Sequence, residues 1–392
     1  MKPGKIYGQF YLMNEEIDIA IIGAGASGLM VGSLLEAGRA VIFEGNNKAG
    51  AKILISGGGK CNITNEWVEP IHYLGNPYFV SEVLKVFDQH DLLEWLRERG
   101  LDPVLRKNRQ FFCPQSASQL LDIFKRESRK QSLLVDQKVE DVVKKGDWFY
   151  LRGLKKNYKA KRVVVASGGL SFSLLGADDI GYRVAESVGH TVARTAPALV
   201  GFTVQREQFF FKSLSGISTE VEIMVGDHSC LGSLLFAHRG ISGPAVLDAS
   251  LYWEKGKIEI DFLPGWYPQE HEDSRKLLSS LLPMPKRVSK AFLEHLEISD
   301  RPISQLGAAE RESLLKMKHY IFAPAGTFGY SKAEVTKGGV DTDEIDSKTM
   351  MSKKCEGLYF AGEVLDVTGR LGGYNFQWAF SSAAVCAKAL QG

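Results

Sequence analysis

Residues 17–22 read IDIAII, an unbroken apolar run, and Gly23 follows at once. A short apolar run bounded by a turn residue predicts a buried strand ending in a tight turn. Residues 27–37 predict a helix stopped by Gly38, and residues 40–43 a second buried strand that ends at Glu44. Together they make a βαβ unit of ordinary size. Residues 45–65 are rich in Gly and Lys with little periodicity, which predicts a long functional loop. Helical spacing covers 78–99 and 116–130. Residues 135–143 and 148–151 predict strands of a small sheet, and 162–166 another buried strand running into Ser167, Gly168 and Gly169. The texture changes near 196. Short alternating segments up to 264 (GFTVQ, STEVEIMV, KIEIDF) predict a β-rich module. Residues 268–319 are mostly helical, broken at Pro283, Pro285 and Pro302. Residues 325–345 return to loops and short strands, 357–361 predict one more buried strand, and 376–390 a closing helix. The two ends of the chain therefore predict one α/β domain, with the middle inserted.

Composition narrows the class. A chain of 392 residues is too long for one ordinary core. Its 44% hydrophobic and 24% charged content matches a soluble globular enzyme. Net charge of +2 leaves no polyanion footprint, so no nucleic-acid partner is expected. The five cysteines are odd in number and form no C-x-x-C pair, which argues against a disulfide framework, a zinc site and a dithiol redox centre. A reducing, cytoplasmic setting fits them. No stretch reaches the ~20 apolar residues of a membrane span, so no membrane partner is expected. Oligomeric state is not legible.

Three motifs carry chemistry. The first is G-x-G-x-x-G at Gly23, Gly25 and Gly28. Gly23 permits the turn, Gly25 lets the backbone approach a pyrophosphate, and Gly28 lets helix pack on strand. The helix N-terminus would face the phosphates, and Glu44 would take ribose hydroxyls while disfavouring a 2′-phosphate. The second is the loop from Lys52 through Ser56, Gly57, Gly58, Gly59, Lys60 and Cys61 to Asn62, whose N–H groups and cations suit a phosphate or the polar edge of a flavin. In the third, a strand ends in Gly362-Glu363 and a glycine turn opens a helix at Asn375, Phe376 and Gln377. Glu363 could accept from a ribityl hydroxyl, and the Asn375 and Phe376 N–H groups could stabilise charge on the N1–C2=O side of a reduced flavin.

With these motifs in place the chain resembles the HI0933-like flavoproteins, also called the YhiN- or BaiN-like family, which are related more distantly to glutathione-reductase and fumarate-reductase flavoproteins. The resemblance covers roughly 17–390 and is most specific in LISGGGKCNITN (54–65), LLFAHRGISGP (234–244), EVTKGGV (334–340) and the segment 357–383. It implies an FAD-binding Rossmann-type, glutathione-reductase-like domain over 17–195 and 345–392 after a tail over 1–16. It further implies an inserted β-barrel-like domain over 196–264 and 323–344, and a helical module over 265–322. It implies non-covalent FAD on Ala24, Ser27, Glu44, the 52–62 loop, Val139, Ser167, Glu363 and 375–377. The chain departs from the family pattern at 171–182, where the expected Pro and T-G-D-G are replaced by SFSLLGADDIGY, and at Ser167, where Thr is expected.

Three functions follow. The first is an FAD-dependent oxidoreductase acting on a small organic substrate, with His238 and Arg239 lining the site and His238 as acid or base. Thr336 and Lys337 resemble the flavin-facing loop of the fumarate-reductase relatives. With no second G-x-G-x-x-G, NAD(P)H would dock transiently at the flavin face as reductant. The second is a flavin-dependent transfer-RNA-modifying enzyme, and the third a flavoprotein without turnover.

Overall fold

The computed structural model describes residues 14–392. Of the tail expected over 1–16, residues 1–13 lie outside the described residues. Residues 14–16 are strand: the first strand spans Asn14–Ile22 and pairs along its length with Asn157–Val165. The chain divides into two compact units, one of residues up to Ala196 and from Val335 onward, the other Pro197–Glu334.

The first unit is built on a seven-stranded sheet. Its parallel part runs in the order Ser132–Leu134, Ala40–Phe43, Asn14–Ile22, Asn157–Val165, Leu358–Phe360. The Asn157–Val165 strand serves two neighbours in turn. Residues 157–160 pair antiparallel with Trp148–Gly153, and residues 163–165 pair parallel with Leu358–Phe360. Val139–Lys145 completes the antiparallel side. Ile19, Ile21, Ile42, Val163, Val164, Val165, Leu358 and Phe360 are fully buried, and each such side chain stabilises the fold by roughly 1.5–3 kcal/mol. The run of branched apolar residues is what a strand covered on both faces requires.

The Ala26–Leu34 helix has no polar face; residues 27–33 are all buried. The closing helix Tyr374–Gln391 packs against it and is buried over most of its length. The helical spacing over 78–99 is two helices, Pro77–Leu84 and Gln89–Glu98. The second is capped by Asp88, whose side chain accepts from the His90 and Asp91 N–H groups.

The second unit holds a seven-stranded antiparallel sheet. Its order is Tyr320–Phe322, Ile258–Asp261, Ser218–Val225, His228–Ala237, Gly240–Ser242, Phe202–Thr203, Gly326–Thr327. Helices Leu278–Leu281, Lys286–His295 and Ala308–Leu315 lie between two of its strands in sequence. A helix over Pro244–Tyr252, absent from the alternation pattern, packs on the His228–Ala237 strand. Phe211, Phe236, Phe262, Phe292 and Phe322 fill the core of this unit.

Candidate FAD site

Every parallel strand of the first unit ends at the same edge. Ile22 leads to Gly23, Phe43 to Glu44, Val165 to Ala166 and Ser167, and Phe360 to Ala361 and Gly362. Ligands of open α/β sheets bind in the crevice outside these carboxyl ends. The three sequence motifs meet there.

The glycines of the first motif do different jobs. A Cβ on Gly23, at φ +105°, would lie 2.4 Å from the Ala166 carbonyl oxygen. A Cβ on Gly28 would lie 1.9 Å from the Gly23 carbonyl oxygen. Both are therefore demanded by the protein's own backbone. Gly25 is not. Its backbone is extended (φ −83°, ψ −162°), and a Cβ there would meet nothing within 4 Å. It opens the Ala26–Leu34 helix, so the space beside it faces free helix N–H groups and the positive end of the helix dipole. That cradle fits a pyrophosphate.

Glu44 closes the adjoining strand. One carboxylate oxygen accepts from the Ala24 N–H (3.2 Å), the other from the Asn46 N–H and side-chain amide (both 2.9 Å). Burial pushes its carboxyl above the ordinary value, against the pull of the Asn46 and Ala24 N–H groups. Fixed in this way it still has lone pairs for ribose hydroxyls. Val139 is buried at the start of its strand. Ser167 and Gly168 follow the Asn157–Val165 strand, and Gly168 sits at φ +74° with open space on its Cβ side.

The 45–65 stretch is more ordered than its sequence suggests. It forms a short helix, Ala51–Ile55, a tight turn through Ser56–Gly59, and a strand, Asn62–Asn65. Gly57, Gly58 and Gly59 all take positive φ, which lets three residues reverse the chain where periodicity shows nothing. Lys52 reaches out of the short helix to Glu363, Nζ to Oε2 2.7 Å. The other Glu363 oxygen accepts from the Thr336 N–H at 2.8 Å. Glu363 thus ties the 52–62 loop to the EVTKGGV segment. The Thr336 hydroxyl is buried and accepts from the Leu170 and Ser171 N–H groups (2.8 and 3.0 Å), so it holds the chain after Gly169 in place. The departing segment 171–182 is anchored too: the Asn46 amide donates to Leu175 O at 2.8 Å.

The closing helix starts at Tyr374 after Gly372 and Gly373, both at positive φ. Its hydrogen-bond ladder begins with the Gln377 N–H donating to Gly373 O at 3.0 Å. The N–H groups of Asn375 and Phe376 precede that ladder. The Asn375 side chain clasps Gly369, accepting from its N–H and donating to its carbonyl, both at 2.8 Å. Gln377 is fully buried; its amide accepts from the Thr64 hydroxyl (2.6 Å) and donates to Ser381 (3.0 Å). Its side chain thus fastens the glycine-loop strand to the helix.

Two features escaped the sequence pattern. Cys61, placed in the loop as a cofactor contact, is buried against Cys113; hydrogen bonding to the Cys113 thiol, with burial, pushes the Cys61 thiol well up. The second is a hairpin over 104–112 that packs on the glycine loop, Asn62 pairing with Phe112. Neither has a local signature, because both depend on register between segments about fifty residues apart.

The remaining candidates fall in different units. Lys337 is half-buried on the Val335–Lys337 strand of the first unit. His238 and Arg239 belong to the second unit, exposed in the turn between His228–Ala237 and Gly240–Ser242, with the Arg239 guanidinium 5.7 Å from the Phe328 ring centroid.

The fold and glycine-lined edge define a flavoprotein with an FAD-binding Rossmann-type domain. The sequence profile described as HI0933-like protein Rossmann domain matches residues 17–389. The chain belongs to the HI0933-like family. It is 41% identical to a ribosomal RNA dihydrouridine synthase of Haemophilus influenzae, over 96% of this chain and 98% of that one. It is 39% identical to the protein of the same description in Escherichia coli, over 96% and 98%. A 3-dehydro-bile acid delta(4,6)-reductase of Clostridium scindens is 32% identical over 95% and 98%. Among solved structures, the open conformation of a flavocytochrome c3 fumarate reductase matches the fold with a TM-score of 0.51 at 14% identity, covering 100% of this chain and 81% of that one. The family is one of flavoprotein oxidoreductases. No helix among the described residues is long and apolar enough to cross a membrane.

Proposed function

We propose that the protein is an FAD-dependent reductase of carbon–carbon double bonds conjugated to a carbonyl, acting on uracil in ribosomal RNA. The observation that supports this most is a chemical identity between relatives that differ in substrate. Making dihydrouridine saturates the C5=C6 bond of uracil, conjugated to its C4 carbonyl. A delta(4,6)-reductase of a 3-keto steroid acid also saturates bonds conjugated to a carbonyl. In each case a hydride equivalent adds to the electrophilic alkene carbon, C6 of uracil or the β or δ carbon of the conjugated steroid ketone, and a proton adds to the neighbouring carbon; in this proposal NAD(P)H is the two-electron source. The 41% and 39% relatives favour the RNA substrate over the steroid.

Non-covalent FAD, when bound, supplies the hydride chemistry. The chain supplies its placement. Gly25 and the Ala26–Leu34 N-terminus receive the pyrophosphate, Glu44 the ribose, and the Lys52–Glu363 pair the polar middle of the cofactor. The Asn375 and Phe376 N–H groups offset negative charge at the flavin end. This reading sets aside the expectation of no nucleic-acid partner, since net charge averages over a surface that need not be uniform.

The test is anaerobic incubation with NADPH or NADH and an unmodified ribosomal RNA transcript, followed by digestion and mass analysis of nucleosides. A uridine heavier by two hydrogens is the expected product. A 4-ene-3-keto steroid acid run in parallel covers the small-molecule reading. If the flavin is reduced yet neither substrate is, the proposal is wrong.

A further inference from the structure

The 104–112 hairpin stands beside the cofactor loop. Phe112 pairs with Asn62, and its ring lies 3.2 Å from where a Cβ on Gly57 would be. The Cys113 N–H donates to Lys60 O at 3.0 Å, and the Asn62 and Gln110 side-chain amides are 2.9 Å apart. The Asn65 amide donates both to Asn108 O (3.3 Å) and to Gly372 O (3.0 Å), so the hairpin tip is tied to the turn that opens the closing helix. The tip thus flanks both halves of the FAD site, all within one unit.

Its tip is basic, following the exposed apolar pair Val104 and Leu105. Residues 104–109 are all exposed, and Arg106, Lys107 and Arg109 are three cations in four positions. Asn108 and Arg109 both take left-handed φ, +58° and +60°, so the chain turns within two residues. The Arg106 guanidinium lies 5.4 Å over the Phe112 ring. Lys60 adds a fourth exposed cation from the glycine loop. Acids nearby include Glu66, 4.0 Å from Arg109, Glu69 beside His72, and Asp102, held by Arg97. Next to Glu66, Trp67 is 49% exposed. It meets His72 edge-on at 4.8 Å, and His72 stacks on Tyr374 at 4.6 Å. An aromatic row therefore leads from the surface to the start of the closing helix.

Cations tracking a backbone beside an exposed aromatic platform are what a single strand of nucleic acid needs. We infer that the 104–112 hairpin, with Lys60 and Trp67, is the surface that grips single-stranded RNA next to the reacting uracil. The cations neutralise phosphates, and Trp67 stacks on a base neighbouring the target. This rests on the proposed reading of the substrate as RNA. Net charge hid it because four cations in one patch are averaged against acids elsewhere.

The test uses the FAD-loaded protein and a fluorescein-labelled twelve-nucleotide oligouridylate, read by anisotropy from 50 to 200 mM salt. The variant combines Arg106→Ala, Lys107→Ala and Arg109→Ala. These side chains are exposed, and bound FAD per chain serves as the control for folding. Losing three phosphate contacts should flatten the log–log salt slope by about 2, which amounts to about 20-fold less affinity lost across that range. Trp67→Ala should weaken binding about 5- to 100-fold with the slope unchanged. Equal affinity and slope for the triple variant and the parent overturn the inference. So does parent binding to phosphatidylserine vesicles through these residues with none to the oligonucleotide. Dihydrouridine formation separates the two ideas. If parent and triple variant modify ribosomal RNA at equal rates, the surface is wrong and the reaction stands. If the parent binds RNA through the hairpin yet forms no dihydrouridine, the reaction is wrong and the surface stands.

Discussion

Gly25 and Gly28 sit three residues apart in one motif, and the structure assigns them different reasons for being glycine. Replacing each by Ala separates the reasons. At Gly28 the new Cβ lands 1.9 Å from the Gly23 carbonyl oxygen and 3.3 Å from Ile21 Cγ2. Backbone cannot swing aside as a side-chain end can, so the helix must lift off the strand. Overpacking of this kind costs about 3 kcal/mol or more. At Gly25 the new Cβ touches no protein atom, and φ of −83° suits any L-residue. Restricting the unfolded chain stabilises by about 0.4–1 kcal/mol. Ala is a poorer N-cap than Gly, which costs a similar amount, about 0.5–1 kcal/mol. Apo-protein stability should therefore stay within about 1 kcal/mol of the parent. Cofactor binding should not. FAD at a hundredfold excess over its Kd stabilises the parent by about 2.7 kcal/mol, roughly 5–10 °C in a domain of this size. The methyl group of Gly25→Ala occupies the cradle, so that increment should disappear. The assay is thermal melting of apo-protein with and without added FAD, with fluorescence titration of FAD as a second readout. A Gly25→Ala protein that keeps the parent's FAD-induced shift refutes the assignment of that space to the pyrophosphate. A Gly28→Ala apo-protein that melts with the parent refutes the packing argument.

Other expectations use different parts of the first unit. Burial alone would push the Glu344 carboxyl up, but Lys354, the Thr191 N–H and hydroxyl, and His190 hold it at about 2. The unfolded carboxyl takes its proton near 4.5, so Glu344's contribution is complete above that pH and is lost as pH falls toward 2. Urea titrations of Glu344→Gln should show a shallower loss of stability across that window than the parent; parallel curves would contradict the network. Gln377→Ala leaves the buried Thr64 and Ser381 hydroxyls each short of a partner, costing about 1–3 kcal/mol in chemical denaturation, with FAD still bound by the folded fraction. Lys52→Met removes a half-exposed ion pair with Glu363, so stability should change by under about 1 kcal/mol while FAD affinity falls more steeply; unchanged affinity would place the pair outside the site.

How much of this was readable from the sequence depended on whether the cause was local. The strand before Gly23, the second strand ending at Glu44 and the closing helix all carry their signal in consecutive residues, an apolar run and then a turn or a cap, and they stand at residues 14–22, 40–43 and 374–391. The 45–65 stretch failed as a pattern for a physical reason. Three glycines at positive φ compress a helix, a reversal and a strand into fifteen residues, too short for either period to show. The helical spacing over 78–99 conceals a break, because Asp88 supplies a second N-cap inside the apolar periodicity. The jobs of individual residues around the glycine-lined edge are not written locally. Thr336, in the segment likened to a flavin-facing loop, braces Leu170 and Ser171, and Cys61, expected at the cofactor, lies against Cys113. A glycine-rich motif announces that backbone and ligand come close. It does not say which of its polar neighbours face the ligand and which hold the backbone there, because that choice is made by segments arriving from elsewhere in the chain. The hairpin over 104–112 is such a segment: nothing in its own composition points to the glycine loop, and only its pairing with Asn62 puts three cations beside that loop.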